Sequence, residues 1–369
     1  MKRRLLVLGI GVLGSFLLGE IALRLIRHEL FSHSNLILRD LKKSPTNRSS
    51  RQDPELGWIL PWGGKKIDRN LVHHPWGIKD YRLSFTSTER GFRSTPNVWN
   101  NLLDETKPIL TLGDSFTFGG EVNDEESWPT HLQALVKNKV MNGGVSLYGL
   151  DQSFIRLQRY LEKHKPHTVI LSVIRENIAR TSQKKRRASI TGVWVDRPYF
   201  VKNGQSLELI NTPVPQQEMQ PSLGPIRTLL GRSHLFDLIF SQLAFNYWYG
   251  IHWGEKLPEA YLTGEDPSEI SCLILKEIAA LSKKHSFKPV VLGQYYWQNP
   301  LGKFKTEPLT QRVLQCAQEL NLVTLDLEPE LKALAESSPD EYNTLYFPGA
   351  HMTNRGNAWV AQKLAQVLK

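Results

Sequence analysis

From about residue 107 the sequence alternates short apolar runs with amphipathic stretches, and this alternation is the feature that most restricts the fold. The run HTVILSVI is apolar throughout, which is typical of a central strand in a parallel sheet with both faces covered. Apolar runs in KPILTLGD, KVMNGG, HTVILSVI, KPVVLGQYY and LVTLDL predict five strands. Helical periodicity predicts helices in EESWPTHLQALVKN and DQSFIRLQRYLEKHKP, and at about 267–285, 307–320 and 354–368. The alternation predicts a three-layer α/β/α sandwich with a mostly parallel sheet.

Residues 1–27 predict a transmembrane helix. Three basic residues precede an apolar run over 5–18, and a second apolar run over 21–26 follows Glu20. The whole, about 22 residues, is long enough to span a bilayer. No small-x-small cleavage site follows, so an uncleaved signal anchor is favoured over a cleaved signal peptide, with a buried soluble helix as the third alternative. Glu20 and Arg24 are four residues apart, which predicts a pair on one helix face.

The charge around this helix predicts on which side of the cytoplasmic membrane the N-terminus and the main domain lie. Basic residues on the short amino-terminal side favour a cytoplasmic N-terminus, and the main domain is then expected outside the cytoplasmic membrane, in the periplasm or at the cell surface. The formal net charge of +10 suits an anionic neighbour such as nucleic acid, anionic lipid or acidic glycan. Nucleic acid is the weakest of the three, because no zinc-finger spacing, RNA-binding aromatic motif or helix-turn-helix signature occurs.

The remaining chain divides by composition. Residues 28–105 predict a stalk and N-terminal extension, because SPTNRSSRQDPELGW is polar and turn-rich. Residues 106–369 predict the main domain, with an insertion at about 181–255. Within the insertion, Asn203-Gly204 stands between alternating runs and predicts a β-hairpin, and an aromatic-rich helical stretch follows. The basic run KKRRAS, which begins at Lys184, predicts a solvated loop, with contact to an anionic partner as the alternative.

The two cysteines, Cys272 and Cys316, both lie in stretches with helical periodicity. In an exported protein they could form a disulfide. Because helical cysteines pair only when their Cβ atoms approach closely, the sequence favours two separate buried thiols. There is no His-x-x-x-His pair and no cysteine cluster, and GDSFTFGG lacks the Gly-Lys-Ser/Thr ending of a phosphate loop, so neither a metal nor another cofactor is predicted.

Three residues at predicted strand ends suggest nucleophilic catalysis. Ser115 follows the first strand of the α/β region, where ligands of open parallel sheets bind. A serine hydroxyl needs a base to accept its proton, and His351, on a loop before the last helix, is the candidate. Asn177 directly follows the third strand and is placed to stabilise an oxyanion, together with the Ser115 N–H and a second backbone N–H. Each residue alone is more often structural, and the order of the three makes the combination specific.

These segments resemble the conserved blocks of the SGNH (GDSL-like) hydrolases. LGDSFTFG resembles the nucleophile block, VMNGGVSLYGLDQ the glycine block, SVIRENIAR the asparagine block and GAHMTNRGN the histidine block, over about 105–369. The resemblance implies a flavodoxin-like fold and ester hydrolysis or acyl transfer. It also implies that Ser115 is the nucleophile, Asn177 an oxyanion donor and His351 the base.

Three positions depart from this pattern. The oxyanion glycine of the family falls on Leu147, between Gly144 and Gly149, and a leucine can still donate its backbone N–H. The usual aspartate, three residues before the histidine, is replaced by Pro348, with Asp340 and Glu341 as nearby substitutes. These departures leave open a dyad enzyme, a slow enzyme and a domain that only binds.

The third departure concerns the asparagine block. Many members have their asparagine where Glu176 stands, so Glu176 is a candidate to line the site. Asp114 is predicted to be a turn former, and Asp326 is predicted to cap the helix that follows it. The stretch from Gln294 and Tyr295 to Trp297 follows a strand, so it is either a sugar-stacking surface or part of the core.

The sequence therefore predicts a membrane-anchored SGNH-type serine esterase. Its expected substrate is an O-acyl, most simply O-acetyl, ester of extracytoplasmic carbohydrate or envelope glycan. An O-acyltransferase on the same substrates and a catalytically degenerate glycan- or partner-binding domain are the alternatives. A lipase at the bilayer surface is a weaker one. The expected partners are the acylated carbohydrate and the membrane, and nucleic acid is not among them.

Overall fold

The fold is taken from a computed structural model. It describes residues 2–26, 50–61, 66–71, 81–88, 91–96, 107–187, 194–215, 224–244, 247–248, 257–300, 304–347 and 351–369.

Strands and helices follow one another along these residues. The strands are β1 (Arg51–Asp53), β2 (Gly57–Ile59), β3 (Lys66–Leu71), β4 (Tyr81–Thr86), β5 (Ile109–Leu112), β6 (Val140–Asn142), β7 (Thr168–Val173), β8 (Lys185–Arg187), β9 (Trp194–Asp196), β10 (Tyr199–Asn203), β11 (Ser206–Ile210), β12 (Lys288–Gly293) and β13 (Val323–Asp326). The helices are α1 (Lys2–Ile26), α2 (Ser115–Phe118), α3 (Trp128–Val136), α4 (Leu150–Leu161), α5 (Arg175–Ala179), α6 (Gly224–Leu230), α7 (His234–Leu243), α8 (Pro267–His285), α9 (Pro308–Glu319), α10 (Glu328–Ser337), α11 (Pro339–Thr344) and α12 (Asn354–Leu368).

A five-stranded parallel sheet forms the centre of the α/β region. Its strand order is β13-β12-β7-β5-β6, and every neighbouring pair is parallel. The five strands predicted from apolar runs are these five, so that prediction is confirmed. The chain leaves β5 for β6 on one side and then crosses back to β7 on the other. Ligand sites of open α/β sheets lie where the winding reverses in this way, at the carboxyl ends of the strands.

Helices cover the sheet on both faces. Alternate strand residues such as Ile109, Ile170 and Val290 are buried in one cluster with apolar side chains of α3, α10 and α12. The intervening residues, such as Leu110 and Val291, are buried as well. On this second side α8 packs against α4 and α9. The predicted α/β fold with a parallel central sheet is therefore confirmed.

The chain forms two compact units. The first comprises Met1–Arg48, Arg187–Val195 and Gln217–Leu257. Within it α1 packs against α7, with the rings of Phe16 and Phe236 4.7 Å apart. Glu20 accepts hydrogen bonds from the backbone N–H groups of His234 and Leu235, at the start of α7. Burial alone would raise the pKa of Glu20, but these hydrogen bonds lower it to about 2.

The predicted pair on helix α1 is confirmed, because Arg24 Nε lies 2.6 Å from Glu20 Oε1. Among the residues that the structure describes, no helix is both long enough and apolar enough to cross a membrane. The predicted membrane span at 1–27 is therefore not supported.

The second unit comprises Ser49–Arg186, Asp196–Gln216 and Pro258–Lys369. The described part of the N-terminal extension lies in this unit with the sheet. For example, Tyr148 donates to the Trp58 carbonyl at 2.5 Å, and Gln152 donates to the Leu56 carbonyl at 2.7 Å. The described part of the extension is therefore packed on the α/β body.

The insertion is also divided between the units. The hairpin predicted at Asn203-Gly204 forms as β10 and β11, with Gly204 at φ +63° in the left-handed region that a tight turn requires. Phe200 of β10 lies 5.7 Å from Phe154 of α4, which holds the hairpin on the α/β body. The later residues, from Gln217 to Leu257, belong to the first unit.

Cys272 and Cys316 form a disulfide, so the prediction of two separate thiols is wrong. Helices α8 and α9 pack side by side, and their two cysteines face each other with Cα atoms 5.6 Å apart. The sequence could not show this contact, because it depends on how two helices pack side by side on one face of the sheet. Disulfides of this kind persist in oxidising compartments.

The disulfide is expected to stabilise the fold, because it closes a 44-residue separation in the unfolded chain. Replacing both cysteines with alanine should lower the free energy of unfolding by about 2–4 kcal/mol. Urea unfolding with and without a thiol reductant provides the measurement. Reductant should destabilise the wild type and leave the double variant unchanged, and equal wild-type midpoints in the two conditions would contradict the expectation.

Candidate active site

Ser115 lies at the carboxyl end of β5, as the first residue of the short helix α2. Asp114 precedes the helix and caps it, because its Oδ1 accepts a hydrogen bond from the Phe116 N–H at 3.0 Å. The other carboxylate oxygen of Asp114 lies 2.8 Å from the Arg180 guanidinium, and both side chains are buried. Asp114 is thus the turn former that the sequence predicts, and it fixes the backbone that carries Ser115.

His351 is within hydrogen-bond distance of Ser115. Its Nε2 lies 2.7 Å from the Ser115 Oγ, although the two residues are 236 positions apart in sequence. The His351 carbonyl accepts from the Phe347 N–H at 3.0 Å, and the imidazole lies 4.9 Å from the Phe116 ring. The structure therefore brings together the serine and the histidine that the sequence singles out, in the geometry of a nucleophile and its base.

A buried glutamate, Glu121, lies on the other side of the imidazole. Its Oε2 accepts a hydrogen bond from the His351 backbone N–H at 3.2 Å, and its Oε1 lies 3.4 Å from Nδ1. The second distance is longer than an ordinary hydrogen bond, and catalytic contacts often tighten only when substrate binds. Glu121 therefore occupies the place from which a triad acid orients the histidine.

The acids that the sequence suggested do not occupy this place. Asp340 is exposed, and Glu341 is exposed and pairs with Arg355 at 2.9 Å. Pro348, the third position that the sequence singled out here, lies outside the described residues. Sequence reasoning missed Glu121, and the one available signal was an acidic residue in the loop directly after the nucleophile helix.

Buried Arg93 of the N-terminal extension holds the loop that carries Glu121. Its guanidinium donates to the carbonyls of Phe118 and Gly119 at 2.5 Å and to the carbonyl of Val122 at 2.6 Å. It also pairs with Asp124 at 2.9 Å. One side chain thus ties the end of the nucleophile helix to both sides of Glu121, which gives the extension a direct part in shaping the site.

Two backbone N–H groups are available to stabilise an oxyanion. Ser115 is the first residue of its helix, so its N–H has no acceptor within the helix. In the loop after β6, the Gly144 N–H donates to Asn142 and the Gly149 N–H donates to Gln152, each at 3.1 Å. The N–H of Leu147 donates to no acceptor among the described residues. Of the three candidate donors in the glycine block, Leu147 is therefore the one whose N–H has no acceptor among the described residues.

The loop after β6 approaches the nucleophile helix very closely. A Cβ at Gly144 would lie 2.4 Å from the backbone nitrogen of Phe118, so a residue with a side chain does not fit there. The Val145 N–H donates to the Gly113 carbonyl at 3.1 Å, next to the nucleophile turn. Gly144 thus contributes by permitting the contact, and Leu147 follows at φ +70°, an unusual backbone conformation for leucine.

Leu147→Gly is expected to preserve activity, because the backbone N–H remains and glycine adopts positive φ readily. Its free energy of unfolding should change by about 1 kcal/mol or less, since relief of strain offsets the entropy and contact that the leucine supplies. Leu147→Val, which is β-branched, should instead lose about 1–3 kcal/mol. Thermal unfolding and ester hydrolysis measure both. A loss of activity in a folded glycine variant would show that the leucine side chain is required.

The side-chain amide of Asn177 is hydrogen-bonded to the backbone around it. It is fully buried, its Oδ1 accepts from the Ile174 N–H at 3.0 Å, and its Nδ2 donates to the Ser172 carbonyl at 2.9 Å. These bonds join the end of β7 to α5. The structure therefore gives this side chain an architectural role. Its role as an oxyanion donor stays a prediction, because an amide nitrogen carries two hydrogens and one of them is used here.

The remaining predicted site-lining residues separate into two groups. Gln294 is fully buried, and its Oε1 accepts from the Ser172 hydroxyl at 2.7 Å. Tyr295 is buried as well, and its hydroxyl donates to Asp326 at 2.7 Å. Both therefore belong to the interior rather than to a sugar-stacking surface. Asp326 also accepts from the Glu328 N–H at 3.0 Å, which confirms it as a cap of the following helix.

Tyr296 contacts the residue that follows the nucleophile, and Glu176 lies within electrostatic range of Tyr296. The Tyr296 ring meets Phe116 edge-on at 4.8 Å and is partly exposed. Burial raises the pKa of Glu176, the Arg180 charge opposes this rise, and one carboxylate oxygen of Glu176 has no hydrogen-bond partner. Glu176 also acts electrostatically on the Tyr296 hydroxyl. Unlike Gln294 and Tyr295, these two residues are only partly buried.

In the described part of the chain, no group of three or more histidine, cysteine, aspartate or glutamate side chains lies close enough together to hold a metal ion. What the site does bring together is a serine hydroxyl, a histidine and an acid behind that histidine, with the N–H groups of Ser115 and Leu147 as candidate oxyanion donors. These are the components of acyl transfer through a serine.

No protein-family model and no curated protein sequence matches this chain. Among solved structures, similar ones include a lipolytic protein of the G-D-S-L family from Desulfitobacterium hafniense DCB-2. It has 14% sequence identity, covers 71% of this chain and 99% of that chain, and gives a TM-score of 0.37. An acetyl xylan esterase, AlAXEase, has 12% identity, covers 71% and 100% of the two chains, and gives 0.40. An acetylxylan esterase from Geobacillus stearothermophilus has 12% identity, covers 71% and 94%, and gives 0.36. Because these sequence identities and TM-scores are low, the similarities carry no functional argument, and only the geometry of the site supports a function.

Proposed function

We propose that this protein is an SGNH-type serine esterase that cleaves O-acyl, most simply O-acetyl, esters of carbohydrate. The observation that carries the proposal is the 2.7 Å separation of Ser115 Oγ and His351 Nε2 at the carboxyl end of β5. A serine hydroxyl becomes a useful nucleophile only when a base accepts its proton, and this contact provides that base.

The reaction follows from the positions of these groups. As Ser115 Oγ attacks the ester carbonyl, its proton passes to His351 Nε2, and Glu121 stabilises the imidazolium that forms. The N–H groups of Ser115 and Leu147 are the donors for the oxyanion. His351 then protonates the leaving alcohol, which leaves an acyl group on Ser115. A water molecule, deprotonated by the same histidine, releases the acid and restores the serine.

An O-acyltransferase would differ only in the last step, where a sugar hydroxyl replaces water. The binding-only alternative was based on Leu147 and Pro348. It is weakened because Leu147 has an unused N–H and because Glu121 supports the histidine from a different part of the chain.

We propose an extracytoplasmic location, and the disulfide between Cys272 and Cys316 supports it. The membrane anchor remains a prediction from sequence. The carbohydrate substrate is supported by the partly exposed Tyr296 ring beside Phe116, because aromatic rings give sugars an apolar face to pack on.

The test is hydrolysis of a chromogenic acetyl ester by the full chain, together with labelling by a fluorophosphonate probe. We expect turnover, and we expect mass spectrometry to locate the phosphonate on Ser115. Adding a sugar acceptor separates the two reactions, because a transferase yields acylated sugar at the expense of free acetate. A folded protein that neither turns over the ester nor accepts the probe would refute the enzyme and favour the binding-only reading.

A further inference from the structure

Helices α1 and α7 of the first compact unit pack side by side and run antiparallel. Near the end of α1, Glu20 accepts from the His234 N–H at the start of α7, at 3.0 Å. One turn earlier in α1, the Phe16 ring lies 4.7 Å from Phe236, which is further along α7. Only 14% of the Glu20 side chain is exposed. The face of α1 that carries Phe16 and Glu20 is therefore packed against the protein.

The opposite face of α1 is apolar and exposed. Leu18, Ile21 and Leu25 follow one another at intervals of three and four residues, so they share one face of the helix, and each is exposed over more than half of its surface. Exposed apolar side chains occur on two further helices of the same unit: Ile226 and Leu229 on α6, and Ile239 and Leu243 on α7. Exposed leucine and isoleucine side chains grouped in this way are typical of a surface that contacts an apolar partner.

The charge of this unit is strongly positive. Its segments contain 13 lysines and arginines and six aspartates and glutamates, a net charge of +7 out of the +10 of the whole chain. Its two described carboxylates are turned inward, because Glu20 caps α7 and Asp237 accepts from the Trp248 indole at 2.7 Å. Arg232, just before α7, is exposed, and α1 begins with three basic residues at 2–4. The unit therefore combines exposed apolar side chains with positive charge.

This combination of apolar surface and positive charge identifies the partner. A second copy of the chain would bring the same positive unit, and like charges oppose that contact. An anionic lipid bilayer suits both features, because its acyl chains take up apolar side chains and its headgroups attract lysine and arginine.

We propose that the exposed apolar side chains of α1, α6 and α7 form a docking surface for an anionic lipid bilayer. The first unit lies on the bilayer rather than across it, because a surface needs one apolar face and α7 keeps the other face of α1, with Glu20, in contact with the protein. The docking surface includes helices of the insertion, which the sequence did not connect with a membrane. It does not depend on the proposed esterase function.

Sedimentation of the full chain with lipid vesicles tests the docking surface. Binding to phosphatidylcholine vesicles that contain about 30% phosphatidylglycerol should be 10-fold stronger or more than binding to phosphatidylcholine alone, because each lysine or arginine near an anionic surface adds to the attraction. Added salt should weaken this binding, since it screens the charges. Alkaline carbonate should release the bound protein, because no segment crosses the bilayer in this arrangement.

Single substitutions locate the contact. Leu18→Glu and Leu243→Glu each put a charge on the docking surface, and each should weaken binding to the anionic vesicles by about 10-fold or more. Leu209→Glu is the matched control, because Leu209 is also exposed but lies on β11 in the second unit, and this variant should bind like the wild type. Arg232→Gln should weaken binding to anionic vesicles by about fivefold and leave binding to neutral vesicles unchanged.

Thermal unfolding checks that each variant folds, and hydrolysis of a soluble acetyl ester should be the same in all of them, so docking and catalysis are judged separately. Wild-type protein that binds neither kind of vesicle, or folded Leu18→Glu and Leu243→Glu variants that bind as well as the control, would overturn the docking surface. Protein that resists both salt and alkaline carbonate would instead span the bilayer. A wild type that ignores vesicles and forms a dimer, which Leu18→Glu dissociates, would show that a second copy covers this face.

Discussion

Replacing Ser115 with alanine should lower ester hydrolysis by roughly 10³-fold or more, because no other group in the site is placed to form the acyl intermediate. The Ser115 Oγ is the atom that His351 contacts at 2.7 Å, and the alanine variant removes that atom and little else. Ser115 is buried within a short helix whose cap, Asp114, bonds to the next residue, so the fold should persist. The measurement is kcat and KM on a chromogenic acetyl ester, with thermal unfolding as the check on structure.

His351→Ala provides the companion test. The serine and histidine act as a unit, so the double variant should be about as slow as either single variant rather than slower by the product of the two losses. Ser282→Ala is the matched control, because among the described residues this hydroxyl bonds only to the Ala279 carbonyl of its own helix. A Ser115→Ala enzyme with near-wild-type turnover would refute the mechanism, and independent losses in the double variant would argue against a coupled pair.

The sequence predicts the sheet well, because each strand is a local pattern. A fully buried parallel strand is an unbroken apolar run, and the five runs become β5, β6, β7, β12 and β13. Ser115 and His351 are also predictable. Ser115 follows a strand at the carboxyl edge of the sheet, where ligands bind. His351 is on the loop before the last helix, where catalytic bases are often found, although α10 and α11 separate it from β13.

Other features depend on contacts that no local pattern records. Glu121 belongs to the loop after the nucleophile helix, which Arg93 of the extension holds by hydrogen bonds on both sides of Glu121, and there it meets His351. The pairing of Cys272 with Cys316 likewise depends on how two helices pack. Asn177 has the right residue type at a strand end, yet its amide bonds to the backbone around it, and the sequence does not distinguish these two uses.

Glu121→Gln should lower kcat by about 10²- to 10⁴-fold with little change in KM, through the tautomer of His351. In the wild type, Oε2 accepts from the His351 backbone N–H and Oε1 faces Nδ1. A glutamine must keep its oxygen toward the backbone N–H, so its NH₂ group turns toward Nδ1 and donates to it. The ring then carries its proton on Nε2, where it cannot accept the proton of Ser115. In the serine proteases the equivalent change reduces turnover by about 10⁴-fold.

Thermal unfolding, probe reactivity and two control variants distinguish a misoriented histidine base from a misfolded protein. Glu121→Gln should melt close to the wild type and react more slowly with a fluorophosphonate, because the nucleophile is less activated. Glu121→Asp keeps the carboxylate and should recover part of kcat. Glu125→Gln, an exposed glutamate four residues further on, removes the same charge and should leave the rate unchanged. A folded Glu121→Gln enzyme with wild-type kcat would mean that His351 is oriented without this carboxylate. The site would then be a Ser–His dyad rather than a triad completed from the loop that follows the nucleophile helix.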